Sequence, residues 1–288
     1  MVVSVDFFLT QTLNGLSFGG LLFLLASGFT LVFGLMRIVN LAHGAFYLVG
    51  GYIGFTTLLV TGNFWLAALV GAVAVAVLGT FVERVLLRPI RGQDMPEVLL
   101  TIGVAFVLGD LSLAIWGGDP VQLPIPGYLS GGVDLGVVSY PRFRIFVAVL
   151  GVAVGVALWF LQHRTRVGAI VRAGVDDREM IAALGVNIRL VFTGVFLFGA
   201  FLAGLSGVIG GTFLSLVPGA DIEILLFALV VVILGGLGSL PGAAIGSALV
   251  GLIDSFARAL VPELSFFTLF APMAIVLVLR PHGLLGRR

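Results

Sequence analysis

Long stretches without Asp, Glu, Lys or Arg divide this sequence, and they decide the solvent in which it folds. Residues 7–36 form one such stretch and residues 38–82 another. A helix needs ~20 mainly apolar residues to cross the hydrocarbon core of a bilayer. The first stretch therefore predicts one span, and the second predicts two, with a turn at Thr61-Gly62-Asn63. Further spans fit residues 97–116, 145–162, 190–220 and 266–279. Residues 224–253 form two apolar pieces interrupted by Gly235-Gly236-Leu237-Gly238-Ser239-Leu240-Pro241-Gly242, a run that breaks helices. Apolar residues make up 60% of the chain and charged residues 10%, against roughly a quarter charged in soluble proteins. The expectation is an all-α, polytopic integral membrane protein with eight or nine transmembrane helices and a broken or re-entrant Gly-rich segment. Its 288 residues then form a single transmembrane domain, with the lipid bilayer as its first partner.

Three absences limit the chemistry. There is no cysteine, which excludes thiolate nucleophiles and cysteine metal sites. All fifteen basic residues are arginine, so the chain has neither the lysine of a Walker P-loop nor a Schiff-base lysine. The net charge is only +1, with no basic tail, which leaves nucleic acid without a binding surface. Residues 1–6 lack the basic region of a secretory signal, so the first apolar stretch is expected to be retained.

Arginine placement predicts orientation, because cytoplasmic loops concentrate basic residues. Segments 83–97 and 163–189, the tail 280–288 and Arg37 together hold twelve of the fifteen arginines. On this basis the C-terminus is cytoplasmic, and nine crossings would place the N-terminus outside. Glycines four apart recur at Gly15/Gly19, Gly50/Gly54, Gly151/Gly155, Gly207/Gly211 and Gly242/Gly246. Small residues at this spacing let transmembrane helices approach closely.

Within the cytoplasmic loop of about residues 163–190, the run Asp176-Asp177-Arg178-Glu179-Met180-Ile181-Ala182-Ala183-Leu184-Gly185 reads as a short helix. Asp176 would be its N-cap, with Glu179 three residues on, and Gly185 would end it in the left-handed conformation. Met180, Ile181 and Leu184 would share one apolar face. About nine residues are too few for a lone helix in water. The face must dock on another protein, on the rest of this bundle or on lipid headgroups.

Few polar groups lie inside the spans. Asn40 and His43, three apart beside Arg37, would share a helix face and either shape a pathway or cap a broken helix. Asp110 has no basic residue one turn away and needs a partner on another helix or a wet cavity. Gln11, Thr12 and Asn14 form a polar cluster that could line a pathway or bind helices together. Asp254 can pair with Arg258 four residues on. The three histidines, His43, His163 and His282, have no metal-ligand spacing. Gly204-Leu205-Ser206-Gly207 has the pattern of an intramembrane serine protease, but a later span would have to supply its histidine base. The only histidine after Ser206 is His282, beyond the last span. The chain offers no catalytic set and no metal site, and it is not expected to be an enzyme.

Four segments carry a resemblance. They are Met36-Arg37-Ile38-Val39-Asn40-Leu41-Ala42-His43-Gly44 with Tyr47, Gly50 and Tyr52; the loop helix with its Glu179, Ala182-Ala183 and Gly185; the run from Gly235 to Gly242; and the ending Leu279-Arg280-Pro281-His282-Gly283-Leu284-Leu285-Gly286. In this order and spacing they are similar to H-type permeases of branched-chain amino-acid ABC importers. The resemblance implies a second homologous permease, two cytoplasmic ATP-binding subunits that hold ATP and Mg, and a periplasmic or extracellular binding protein. It also implies residence in the cytoplasmic (inner) membrane and no cofactor in this chain. Residues 176–181 and 183–185 would couple to an ATPase, and Asn14, Asn40, His43 and Asp110 would line the translocation pathway. Many relatives place an acid directly after the His-Gly pair, whereas this chain has Ala45. Permeases of similar sequence are associated with urea, amides or other amino acids, which stand as alternative cargoes. A self-sufficient secondary carrier or channel would need intramembrane ionisable groups, and Asp110 is its one good candidate.

Overall fold

A computed structural model of the chain describes residues 5–286 apart from 135, 137 and 177. For residues 175, 176, 178, 179, 182, 265, 266, 268 and 269 it describes the backbone alone. The helices are α1 (Val5–Met36), α2 (His43–Thr61), α3 (Phe64–Phe81), α4 (Asp94–Trp116), α5 (Arg142–Arg164), α6 (Arg166–Asp176), α7 (Arg178–Ala183), α8 (Ile188–Phe213), α9 (Ala220–Gly235), α10 (Leu240–Leu260) and α11 (Ser265–Leu279). Among the described residues, seven are long and apolar enough to cross a membrane: α1, α2, α3 with its extension to Ile90, α4, α5, α8 and α10. With 16 and 15 residues, α9 and α11 are shorter. At ~1.5 Å per residue they reach about 24 Å or less, under the ~30 Å core. These nine helices correspond to the nine apolar segments of the sequence.

The turn at residues 61–63 forms as expected. Gly62 adopts φ 65°, and the Asn63 side chain accepts the Leu66 amide to cap α3. The long stretch 190–220 is shorter as a helix than as a sequence run. α8 stops at Phe213, and a connector with Ser215 at φ 84° and Gly219 at φ 91° leads into α9.

α1 is the axis of the bundle, packed on α10, α8 and α5. In its central apolar window 72% is buried within the protein, against 11% for α4. α4 therefore turns most of its surface to lipid or to another subunit. All five glycine pairs sit at helix contacts. Gly15 and Gly19 meet α10 backbone at Leu252 and Ser247, Gly50 meets Gly204, Gly151 meets Gly20, Gly207 meets the Tyr47 carbonyl, and Gly242 meets Gly235. Backbone this close leaves no room for a Cβ. Gly207→Leu is expected to cost about 1–3 kcal/mol or more, since a carbonyl cannot change rotamer to make way. Gly194 lies on the same helix with nothing within 4 Å, so Gly194→Ala should be neutral or stabilising. Thermal melting of the two purified variants in one detergent checks both.

The Gly-rich break forms a tight connection between α9 and α10, with Gly236 at φ 106°, Gly238 at φ 79° and Ser239 capping the Gly242 amide at 3.2 Å. The C-terminal segment closes over it. The amides of Leu284 and Leu285 donate to the carbonyls of Leu234 and Gly235 at 2.9 and 3.0 Å. Two segments far apart in sequence thus satisfy one helix end, whose last carbonyls lack partners within the helix.

A second break falls at Arg37, where the sequence showed the end of an apolar stretch but not the course of the chain beyond it. α1 ends at Met36, Arg37 adopts φ 58°, and residues 37–42 are non-helical before α2 begins at His43. The His43 Nε2 lies 3.0 Å from the Leu25 carbonyl of α1, roughly 16 Å back along that helix from its end. The connection therefore re-enters the bundle and starts α2 at depth. At the end where α1 begins and α8 and α10 finish, a short antiparallel hairpin, β1 (Gly132–Asp134) and β2 (Ser139–Pro141), holds Tyr140 against α1. Val121 pairs with Leu216 of the α8–α9 connector, which ties the long α4–α5 loop to that connector.

Candidate functional site

Two regions bring polar groups together, one at each end of the bundle. The first is a cavity of about 890 Å³ at the end where α1 begins. It is enclosed by α1, α9 and α10, with Arg144 from the start of α5, Phe213 from the end of α8 and the α8–α9 connector. Asn14 lies in its wall, and its side-chain oxygen accepts from the Tyr140 hydroxyl at 3.0 Å and from the Arg144 guanidinium. That guanidinium also sits 5.0 Å above the Phe213 ring. Asp254 and Arg258 form a pair, with Nε donating to both carboxylate oxygens at 2.9 and 2.8 Å. Glu223, in the first turn of α9, faces the same cavity and has no ion-pair partner among the described residues. Tyr47 closes one side; its hydroxyl is buried against Gly210 and has no hydrogen-bond partner among the described residues.

The second region lies at the opposite end, where the arginines cluster. Beyond Phe81, α3 widens into a π turn over Val82–Leu87, a bulge that often marks a functional position. It turns Glu83 inward to full burial. One carboxylate oxygen pairs with Arg91 and the other accepts from the Thr193 hydroxyl of α8 at 2.7 Å. The Arg91 guanidinium lies 4.5 Å over the Phe192 ring. Glu97 is also buried and accepts the Gly92 amide at 2.7 Å. At the same end are α6 and α7, which differ from the single helix expected over residues 176–184. The Thr165 hydroxyl accepts the Gly168 amide at 3.1 Å and starts α6 at Arg166. Asp176 is consequently the last residue of α6 and not an N-cap, and α7 spans only Arg178–Ala183. Asp177 and the side chains of Asp176, Arg178 and Glu179 lie outside the described residues. The apolar face is also divided: Ile181 is buried, whereas Met180, Ala183 and Leu184 are exposed, Leu184 by 72%. Gly185 has φ 82°, the left-handed conformation expected of it.

The sequence matches the family described as branched-chain amino acid transport system / permease component over residues 11–279. The chain belongs to this family. The permease is 32% identical to the high-affinity branched-chain amino acid transport system permease protein BraD of Pseudomonas aeruginosa, covering 97% of this chain and 96% of that one. It is 31% identical to the corresponding protein LivH of Escherichia coli K12, with 98% and 96% covered. Among solved structures it resembles PsaBC from Streptococcus pneumoniae in complex with Fab, at TM-score 0.51 and 13% identity over 92% of this chain and 89% of that one. That likeness concerns the fold alone.

The residues singled out in the permease sequence fall in different places. Asn14 lines the cavity. Asn40 and His43 do not share a helix face, because Asn40 lies in the re-entrant connection and accepts the Ala42 amide at 3.2 Å, while His43 starts α2. Both are buried, and the His43 ring meets Phe29 edge-on at 5.6 Å. Asp110 is on the exposed face of α4, outside the cavity lining. The Ser206 hydroxyl donates to the Ala203 carbonyl of its own helix at 2.8 Å and is fully buried, which is a packing role. Sequence reasoning gave no site role to Arg144, Glu223, Tyr47 or the Glu83–Arg91–Thr193 knot. Asn14 and Thr193, which meet Arg144 and Glu83, lie on other helices, and no spacing rule joins them.

Proposed function

We propose that the chain is the transmembrane permease subunit of a prokaryotic ABC importer that carries leucine, isoleucine or valine across the cytoplasmic membrane. The observation that carries this reading is the near full-length similarity to branched-chain amino acid permeases, over the same residues that form the bundle. A second homologous permease completes the pathway, and the exposed face of α4 is available to it. Two cytoplasmic ATPase subunits hold ATP and Mg, and an external binding protein delivers the amino acid. The arginine-rich end, with the C-terminus, faces the cytoplasm, as the positive-inside rule requires.

In this reading α6 and α7 are the coupling element within a single transmembrane domain. Leu184 enters an apolar groove on an ATPase subunit, and ATP-driven closure of the ATPases moves the bundle between outward- and inward-facing states. The Asp176–Gly185 segment contributes through this face and through its charged residues Asp176, Asp177, Arg178 and Glu179. Asn14 stands in the outer vestibule. Asn40 and His43 stabilise the re-entrant turn beside the path, and Asp110 meets a neighbour across the α4 face. Mild-detergent extraction of the tagged chain from its native membrane should co-purify a second permease and two P-loop ATPases. Recovery of the chain alone, under conditions that preserve a known ABC complex, would contradict the proposal.

A further inference from the structure

The outer cavity holds two opposite charges that the protein leaves uncompensated. Asp254 and Arg258 neutralise one another across a single helical turn. Arg144 and Glu223 do not: among the described residues neither takes part in an ion pair. Both stand at helix starts at the open end of the bundle, Glu223 exposed and Arg144 half-buried, where a solute entering the cavity can reach them. Arg144 is nonetheless held firmly in place by neutral groups. Asn14 accepts its Nη1, and the Phe213 ring lies 5.0 Å beneath its guanidinium. These contacts orient the cation without cancelling its charge.

Aromatic rings link the two charges. Phe18 of α1 meets Phe213 at 6.5 Å and Phe227 at 5.3 Å between ring centroids. Glu223 precedes Phe227 by one turn of α9 and so lies on the same helix face. A cation beside Phe213 and an anion beside Phe227 therefore flank one apolar cluster inside one cavity. Its volume, about 890 Å³, is within the ~300–1,000 Å³ usual for small-molecule sites.

We propose that this cavity is a receptor for the zwitterion of a free amino acid, in which Arg144 takes the carboxylate, Glu223 the ammonium and the Phe18–Phe213–Phe227 cluster an apolar side chain. The inference rests on the importer reading and adds to it the residues that recognise the cargo inside the permease. An amino acid brings an anion, a cation and an apolar side chain in one small molecule, and this wall presents a partner for each of the three. A simple anion would be repelled by Glu223, a simple cation by Arg144, and a sugar would leave both unpaired.

The test is photolabelling of the assembled importer in nanodiscs by a leucine analogue with a diazirine in its side chain. Label is expected in the permease on peptides containing Phe213 or Phe227, and excess leucine should compete for it. Leucinamide, which lacks the carboxylate, and 4-methylpentanoate, which lacks the ammonium, should compete at least tenfold less well. Arg144→Gln and Glu223→Gln should each lower labelling at least tenfold, and Arg144→Lys should lose less. The competition series uses the unaltered protein and so holds even if a variant fails to fold. Equal competition by the three ligands, unchanged labelling in both Gln variants, or label confined to other peptides in a preparation that imports leucine would overturn this inference alone. Absence of ATP-driven leucine uptake by the assembled complex would overturn the importer reading and this inference with it.

Discussion

Leu184→Asp is expected to reduce ATP-driven leucine uptake by about a hundredfold while the protein still inserts and folds. Leu184 is 72% exposed and follows α7 just before the left-handed Gly185, so the chain's own packing loses little when it is replaced. A carboxylate pressed into an apolar groove must either shed its water unpaired or hold the surfaces apart. A penalty of ~3 kcal/mol is a modest value for burying such a group and corresponds to roughly a hundredfold in association. Uptake by proteoliposomes and the detergent melting temperature, measured on the same preparation, separate the two effects. Normal uptake by the variant would remove α7 from the coupling interface. Ile181, which is buried, should behave oppositely, since Ile181→Asp should lower the melting temperature as well as uptake.

The second large effect concerns stability. Glu83→Ala removes the carboxylate that pairs with Arg91 and accepts from Thr193. The Arg91 side chain remains four-fifths buried, with its Nε already lacking a partner among the described residues. Breaking a buried pair from one side costs ~3–5 kcal/mol, mainly through the charge left behind. A melting transition many degrees lower is the expected result. Removing both charges with Glu83→Leu and Arg91→Met should recover much of that loss, because apolar replacements of a buried pair are often neutral or better. A double variant no more stable than Glu83→Ala would contradict this account of the knot.

What the sequence made legible follows the range over which each signal acts. Spans were readable because a bilayer demands apolar length, and Gly62 and Gly185 marked their turns because glycine readily adopts a left-handed backbone. The Asp254–Arg258 pair was readable because it lies within one helical turn. By contrast, Asn14 and Arg144 are far apart in sequence and come together only through the packing of α1 on α5. The re-entrant connection at residues 37–42 was marked in the sequence only by Arg37 and Asn40, which interrupt the apolar run without showing that the chain turns back into the bundle. At the loop helix a genuine pattern misled: Asp176 and Glu179 fit a capping box, but Thr165 caps an earlier start and the helix runs through to Asp176. The Gly-rich run and the C-terminal segment were each visible, yet only the fold shows that one closes the end of α9 beside the other.

The central claim is that this chain moves branched-chain amino acids by ATP-driven alternation and not as a carrier in its own right. The most direct measurement is accumulation of radiolabelled leucine in proteoliposomes containing the permease pair, its ATPases and the binding protein. Accumulation that requires hydrolysable ATP and is lost with a hydrolysis-deficient ATPase is the predicted result. Leucine uptake by the chain alone, driven by an ion gradient and indifferent to ATP, would contradict it.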